Sequence, residues 1–416
     1  MTTSKYEQDL RFFGEEERKI LDDVLKRQQL CYYDYNDSLN PVGVGYYINQ
    51  FQDKFAAWMK LKHALAVNSG TSALEGAMAG CEIGPGDEVI VSGKSFIASS
   101  ISVVALGAVP VFADVDPRNG CLDPAEVERK VTEHTKAIMP VHIYGQPADM
   151  DGTMNVAKKH DLYVIEDAAE AYGALYKGRL AGALGDVAAF SLQQTKHFTT
   201  GEGGIIVTDN SDIFVKAATF TNVGAIRGAK KPEPDFHFFS FGHNYRMGQL
   251  QAAVAVAQLS KIDIFNKRRQ HLVDIIEKEL RGVSGIQMPY VYPETVPSYW
   301  GYHIVLDEKL RLLSEDVVRL CMEEEKVELW LENAFWHRTP SYLEPVFREM
   351  NVKRKTSLGQ PLPDYVRYEK GTCPKLESVA PRSIVIPVHH GIRPEVIAAQ
   401  AAAIRKVVER RTRRAD

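Results

Sequence analysis

Short runs of apolar, often β-branched residues alternate with stretches of helical spacing from about residue 64 onward. Glu88–Ser92, Val109–Ala113, Ala137–His142, Leu162–Glu166, Val187–Ser191 and Ile205–Thr208 read as strands with little internal polarity. Between them, Ala73–Cys81, Ser95–Leu106, Pro124–Val131 and Asp151–His160 read as helices. Asp123 followed by Pro124 marks one start, a capping side chain before a proline at the first helical position. Continuous apolar strands separated by helices predict a parallel sheet covered on both faces. After about residue 250 the pattern changes. A long helix is predicted from Asn244, continuing through Ile262–Leu280, then strands at Trp300–Val305 and Ser383–Pro387 and helices at Ser314–Lys326 and Pro394–Arg411. Residues 334–375 are rich in aromatics, proline and glycine without a clear period, and their aromatic content points to packing over disorder.

Composition narrows the class. A chain of 416 residues suffices for a large domain plus a smaller one. A formal net charge of -4 leaves no basic footprint for nucleic acid. No apolar run approaches the roughly 20 residues that span a bilayer, and the polar start, Met1 to Asp9, lacks the apolar centre of a secretory signal. Five scattered cysteines, odd in number and never in a C-x-x-C pair, fit free thiols in a reducing cytoplasm and suggest no metal site. A soluble, cytoplasmic protein is expected.

The candidate chemistry centres on Lys196, in the run Ser191-Leu-Gln-Gln-Thr-Lys196-His-Phe-Thr-Thr-Gly-Glu-Gly-Gly204 between two apolar strands. A lysine held there is expected to be shielded from water, and desolvation disfavours the charged ammonium. A neutral amine is what Schiff-base chemistry requires. Taken alone, such a lysine is more often a surface residue. Four further elements accompany it. Asn68-Ser-Gly-Thr-Ser-Ala-Leu74 opens a helix and serves either as an anion site, with the hydroxyls of Thr71 and Ser72 as added donors, or as an ordinary cap. Asp167 ends an apolar strand, where it either faces a protonated ring nitrogen or caps a helix. Phe96 follows another strand and either covers a planar ligand or packs in the core. Gly242-His-Asn-Tyr-Arg-Met247 either caps the long helix or presents an amide and a guanidinium to an anion. Phosphate cradle, pyridinium partner, stacking ring and amine together describe a pyridoxal phosphate pocket.

From about residue 40 to 260 the chain resembles the DegT/DnrJ/EryC1/StrS family of sugar and cyclitol aminotransferases. The resemblance rests on Asn68-Ser-Gly-Thr-Ser-Ala-Leu74, Ile83-Gly-Pro-Gly-Asp-Glu-Val89, Pro110-Val-Phe-Ala-Asp-Val-Asp116 and His142-Ile-Tyr-Gly-Gln-Pro147. It also rests on Ile165-Glu-Asp-Ala-Ala168, the Lys196 run and Asn244-Tyr-Arg-Met247, with weaker matches at Cys373-Pro-Lys-Leu-Glu377 and Ile386-Pro-Val-His-His390. The resemblance implies an α/β, fold-type I architecture, with a large, mostly parallel seven-stranded sheet domain sandwiched by helices and a smaller α+β domain. Residues 48–260 would form the large domain, and 1–47 with 261–416 the small one. It implies pyridoxal 5'-phosphate as cofactor and Lys196 as the Schiff-base lysine, five positions after a phosphate-binding Ser191. Gly70, Thr71 and Ser72 would hold the phosphate, Phe96 would stack on the ring, and Asp167 would pair with its nitrogen. Asn244 would reach the phosphate of a neighbouring subunit, so a homodimer with shared active sites is implied.

Two departures stand out. Glu170 occupies a position near the coenzyme's phenolic oxygen where many members carry glutamine, and Gln193 one where they commonly carry histidine or tyrosine. The implied reaction moves an amino group from L-glutamate or L-glutamine to a keto sugar, nucleotide-linked or free, or to a keto cyclitol. Rival readings are a sugar dehydratase of the same family, with His197 in the lysine's place, and a non-catalytic regulator that kept the fold. An oxidoreductase is disfavoured, because no G-x-G-x-x-G follows a strand. Candidate substrate contacts are Gln193, Arg227, Trp336 and His337, the last three in loops at 225–240 and 334–372.

Overall fold

The computed structural model describes residues 13–34, 43–225, 238–329, 339–356 and 358–415. Its centre is a seven-stranded sheet in the spatial order His63–Val67, Gly204–Thr208, Val187–Ser191, Tyr163–Asp167, Thr135–Met139, Glu88–Ser92, Val109–Ala113. Gly204–Thr208 runs antiparallel to both of its neighbours, and the remaining pairings are parallel. Six strands therefore end at one edge, and the seventh begins there.

Successive side chains of a strand face opposite sides, and the two sides here are two separate cores. Leu65, Val67, Val187, Ala189 and Ile206 join one, while Ala64, Ala66, Ala188, Phe190, Ile205 and Val207 join the other. This double burial explains why the strands read as continuous apolar runs. The exception is His63–Val67, which the sequence pattern did not mark as a strand: three of its five residues are His or Ala, which carry little β signal.

A third core, from Leu272 to Val408, lies around a three-stranded antiparallel sheet with Gly301–Leu306 between Ile286–Gln287 and Ser383–Pro387. Helices Ile262–Leu280, Ser314–Glu325 and Pro394–Ala415 pack on it. Most of the predicted spans hold within about two residues at each end. The helix expected from Asn244 begins instead at Gln249, capped by Gly248. The preceding residues are extended, with Arg246 bridged to Val67 and Asn244 to Asn222. The segment without period is ordered where described, with a helix at Pro345–Lys353 and another at Pro374–Val379. Its Tyr342, Phe347 and Tyr368 close around Phe112 of the large sheet at 5.2–5.6 Å between ring centroids. No helix among the described residues is long and apolar enough to cross a membrane.

Candidate active site

The shared edge of the sheet opens into a cavity of about 380 Å³, the place where ligands gather in open α/β sheets. Its lining brings together Gly70, Thr71, Phe96, Asp167, Glu170, Ser191, Gln193 and Lys196. These come from turns and strand ends scattered over more than a hundred residues of chain.

One end is built around the helix Gly70–Gly80. Ser69 caps it, its hydroxyl accepting from Ser72 N at 3.0 Å while Ser72 Oγ accepts from Ser69 N at 3.0 Å. Ser72 also donates to Asn68 Oδ1 at 2.6 Å, so its hydroxyl serves the cap and is turned away from the cavity lining. No protein acceptor among the described residues meets the N–H groups of Gly70 and Thr71, which leaves two oriented donors and the positive helix end for an anion. The fit is close. A Cβ on Gly70 would lie 2.6 Å from Ser191 Cβ and 2.9 Å from its Oγ. One on Gly204 would lie 2.1 Å from the Ser69 carbonyl. Only glycine lets this helix start approach the sheet so closely.

Across the cavity, Asp167 ends its strand and is buried. Its Oδ2 accepts from Ser99 Oγ at 2.6 Å and its Oδ1 from Ala169 N at 3.2 Å. Burial pushes this carboxyl above its ordinary pKa, and the Ser99 hydroxyl opposes the rise. The adjacent Glu166 points away, to the other face. It accepts from the N–H groups of Gly182, Leu184 and Gly185 at 2.6–2.7 Å and lies 2.8 Å from His142 Nε2. Burial raises its pKa, but His142 and the Gly185 and Gly182 amides bring it net below the usual range.

Lys196 reaches the cavity from the loop after Val187–Ser191. Its Nζ lies 3.2 Å from Glu170 Oε1 and 4.8 Å from the Trp300 ring centroid. Glu170 is itself fixed, its Oε2 accepting from Tyr144 N at 2.9 Å. Trp300 closes the wall: its Nε1 donates to Thr195 O at 3.0 Å, and its ring lies nearly parallel to that of Tyr144. His197, the residue a dehydratase reading requires, is fully buried, donates to Ser298 O at 3.1 Å and does not line the cavity. Burial, then Arg269, hold its imidazole well below the ordinary pKa. Phe96 stands at the mouth, 42% exposed. Gln193 is held by Thr195, whose N and Oγ1 each donate to its Oε1 at 2.8 Å. Asn244 is exposed and outside the lining. Arg227, Trp336 and His337 lie outside the described residues.

Several contributors escaped the sequence reading: Tyr144, Trp300, Ser95 and Ser99. Ser99 had a local signal, since it follows Ser95 by four residues just past a strand. Lys94, just before Ser95, is a second lysine, this one buried, and does not line the cavity. It is 3% exposed, with Nζ 3.1 Å from His303 Nε2 and 5.2 Å from the Tyr144 ring centroid. Burial pushes its amine down to about 7, weakly opposed by Cys121.

A sequence profile of the DegT/DnrJ/EryC1/StrS aminotransferase family matches residues 37–405. The GDP-perosamine synthase of Caulobacter vibrioides is 43% identical over 277 residues, 66% of this chain and 73% of that one. The L-glutamine:scyllo-inosose aminotransferase of Streptomyces griseus is 35% identical over 305 residues, 71% and 70% of the two chains. Among solved structures, S. venezuelae DesV, described in complex with a ketimine intermediate, superposes with a TM-score of 0.79 at 30% identity. That match covers 95% of this chain and 94% of DesV.

Proposed function

Because the chain belongs to the DegT/DnrJ/EryC1/StrS aminotransferase family, whose enzymes use pyridoxal 5'-phosphate, we propose that its cavity moves an amino group from L-glutamate or L-glutamine to a keto sugar or keto cyclitol. A nucleotide-linked keto sugar is the favoured acceptor, on the likeness to a GDP-perosamine synthase. The observation that carries this reading is a single cavity holding Lys196, Asp167 and the Gly70 helix start together.

The residues present fit the coenzyme. The Gly70 and Thr71 amides with the Ser191 hydroxyl suit its phosphate, in a cradle that a Cβ on Gly70 would fill. Asp167 suits a protonated ring nitrogen, and Phe96 at the mouth suits a ring face. When bound, the coenzyme supplies an electron sink for charge developing at the substrate carbon. Lys196 Nζ moves the proton that leaves the donor's α-carbon, as a positioned amine can. Glu170, anchored by Tyr144 N, orients that amine, and Trp300 shields it from water. Gln193 borders the space left for substrate, with Arg227, Trp336 and His337 as further substrate contacts. Ser72 acts through the cap, holding the amides of Gly70 and Thr71 in register.

We also propose a cytoplasmic homodimer in which Asn244 completes the partner's phosphate site. Phe238, Phe239 and Phe241, beside Asn244, are 61, 63 and 99% exposed, an apolar cluster suited to burial against a second copy. The division at 48–260 against 1–47 and 261–416 stands as a proposal as well; the separate core between Leu272 and Val408 supports its C-terminal part, whereas Val24 and Tyr32 pack in the core of the large sheet.

The test of the central reading is the Lys196→Ala variant. It should lose turnover with any amino donor and lose the visible absorbance of the coenzyme-loaded protein. Retained turnover would defeat the assignment. For the dimer, mixing inactive Lys196→Ala and weakened Asn244→Ala chains should restore activity through one intact site per hybrid, and no recovery after subunit exchange would refute sharing.

A further inference from the structure

The carboxylate of Asp167 is supported by a chain of two hydroxyls whose protons all point toward it. Ser99 Oγ is 2.6 Å from Asp167 Oδ2. A serine has one proton to give, so Ser99 spends it there. Ser95 Oγ, 2.5 Å from Ser99 Oγ, must then be the donor of that second bond. Both serines are buried, and both line the cavity.

Serines in a helix commonly bond back to a carbonyl one turn earlier, and two neighbours here do so. Ser100 donates to Ile97 O at 3.0 Å and Ser102 to Ser99 O at 3.3 Å. Ser99 lies on the same helix, Ala98–Ala105, and turns its hydroxyl to the carboxylate instead. Ser95 is fixed from a third element: Ser341 Oγ donates to Ser95 O at 3.1 Å, and Ser341 N to Gly93 O at 3.2 Å. The segment around residue 341 thus sets the angle of the relay.

We propose that Ser99 and Ser95 are positioning residues that hold Asp167 in orientation and keep it ionised toward the ring nitrogen. This rests on the reading of Asp167 as the nitrogen's partner. Hydroxyls aligned in series polarise one another, which strengthens the last bond. Around the carboxylate, burial and Glu170 favour its neutral form, while Ser99, the Ala169 amide and Lys196 favour the anion. The relay is the only side-chain hydrogen-bond donor on the anion's side among the described residues.

The test uses the full-length holoenzyme and two readouts, the dissociation constant of pyridoxal 5'-phosphate and the pH profile of kcat. Removing a hydrogen bond to a charged group should weaken coenzyme binding by about tenfold or more in Ser99→Ala. The acid limb of its kcat profile should move to higher pH, because the anion has lost its best partner. Ser99→Thr, which keeps the hydroxyl, should restore both, and Ser95→Ala should fall between. Ser102→Ala removes a buried hydroxyl of the same helix without touching Asp167 and should change neither. Equal losses in Ser102→Ala and Ser99→Ala would mean helix damage and overturn the proposal. Asp167→Asn separates the two levels of the argument. If it leaves coenzyme binding intact, the reading of Asp167 fails and the relay with it. If it weakens binding while Ser99→Ala does not, the relay alone is overturned.

Discussion

Replacing Lys94 with methionine should stabilise the protein at neutral pH and slightly destabilise it at high pH. The side chain is fully enclosed, and its amine meets no carboxylate among the hydrogen bonds and ion pairs of the described residues; its polar neighbour is His303 Nε2 at 3.1 Å. That nitrogen also lies 3.1 Å from Ser383 Oγ, which gives its own proton to Val379 O at 3.0 Å. Ser383 can therefore only accept from the imidazole, so His303 Nε2 carries a proton. An ammonium has no lone pair with which to meet an N–H, whereas a neutral amine does. Geometry and desolvation agree that the folded state prefers uncharged Lys94.

The pH dependence follows with a definite sign. The amine falls from 10.5 unfolded to about 7 folded. Between those values the unfolded chain binds more protons, so wild-type stability rises with pH across that window. Below about 7 both states are charged and the full cost of burying the ammonium is present. A shift of about 3.5 units at 1.36 kcal/mol each is about 5 kcal/mol. Methionine removes that cost and gives up one hydrogen bond of about 1 kcal/mol. Lys94→Met should thus be about 1 kcal/mol less stable near pH 10.5 and about 4 kcal/mol more stable at pH 7, with no further gain down to pH 6. Urea denaturation of both proteins, at matched concentration and saturating coenzyme from pH 6 to 10.5, measures the difference and cancels the groups they share. A difference that is flat from pH 7 to 10, or that grows as pH rises, refutes the reasoning.

Other substitutions probe the remaining supports. Gly70→Ala places a methyl 2.6 Å from Ser191 Cβ and 3.2 Å from its Cα; it should weaken coenzyme binding by about tenfold or more, read by absorbance titration. Trp300→Ala opens the wall beside Lys196 and cuts the tie to Thr195 O. It should lower kcat by about tenfold with a smaller change in KM for the amino donor, measured by steady-state kinetics. His142→Ala leaves Glu166 buried with its backbone donors but without its imidazole partner; the loss should be about 3 kcal/mol by urea denaturation, with the coenzyme spectrum unchanged, since Glu166 faces away from the cavity.

What was readable from the sequence, and what was not, divides along physical lines. The strands buried on both faces announced themselves because nothing on them meets water, and alanine-rich His63–Val67 escaped for want of β-branched residues. The helix placed at Asn244 was wrong because its first residues pair as extended backbone with Asn222 and Val67, long-range bonds that no local pattern encodes. Gly70, Asp167, Ser191 and Lys196, which line one cavity, were legible because each carried a local signal: a small-residue turn opening a helix, the end of an apolar strand, or a turn between two apolar strands. Trp300 was not, since it meets Thr195 across 105 residues of chain. The two lysines make the sharper point. Lys94 and Lys196 both follow buried strands and precede aromatic residues, so an argument from desolvation fits either. In the folded chain the stronger desolvation belongs to Lys94, which reaches no cavity, while Lys196 stays partly accessible and paired with Glu170. Burial alone would have pointed to Lys94 and not to the amine we propose as reactive. What singles out Lys196 is an opening large enough for a ligand, with Asp167 and the Gly70 helix start on its walls. A reactive lysine must be dry enough to attack and open enough to be attacked, and only the second condition separates these two.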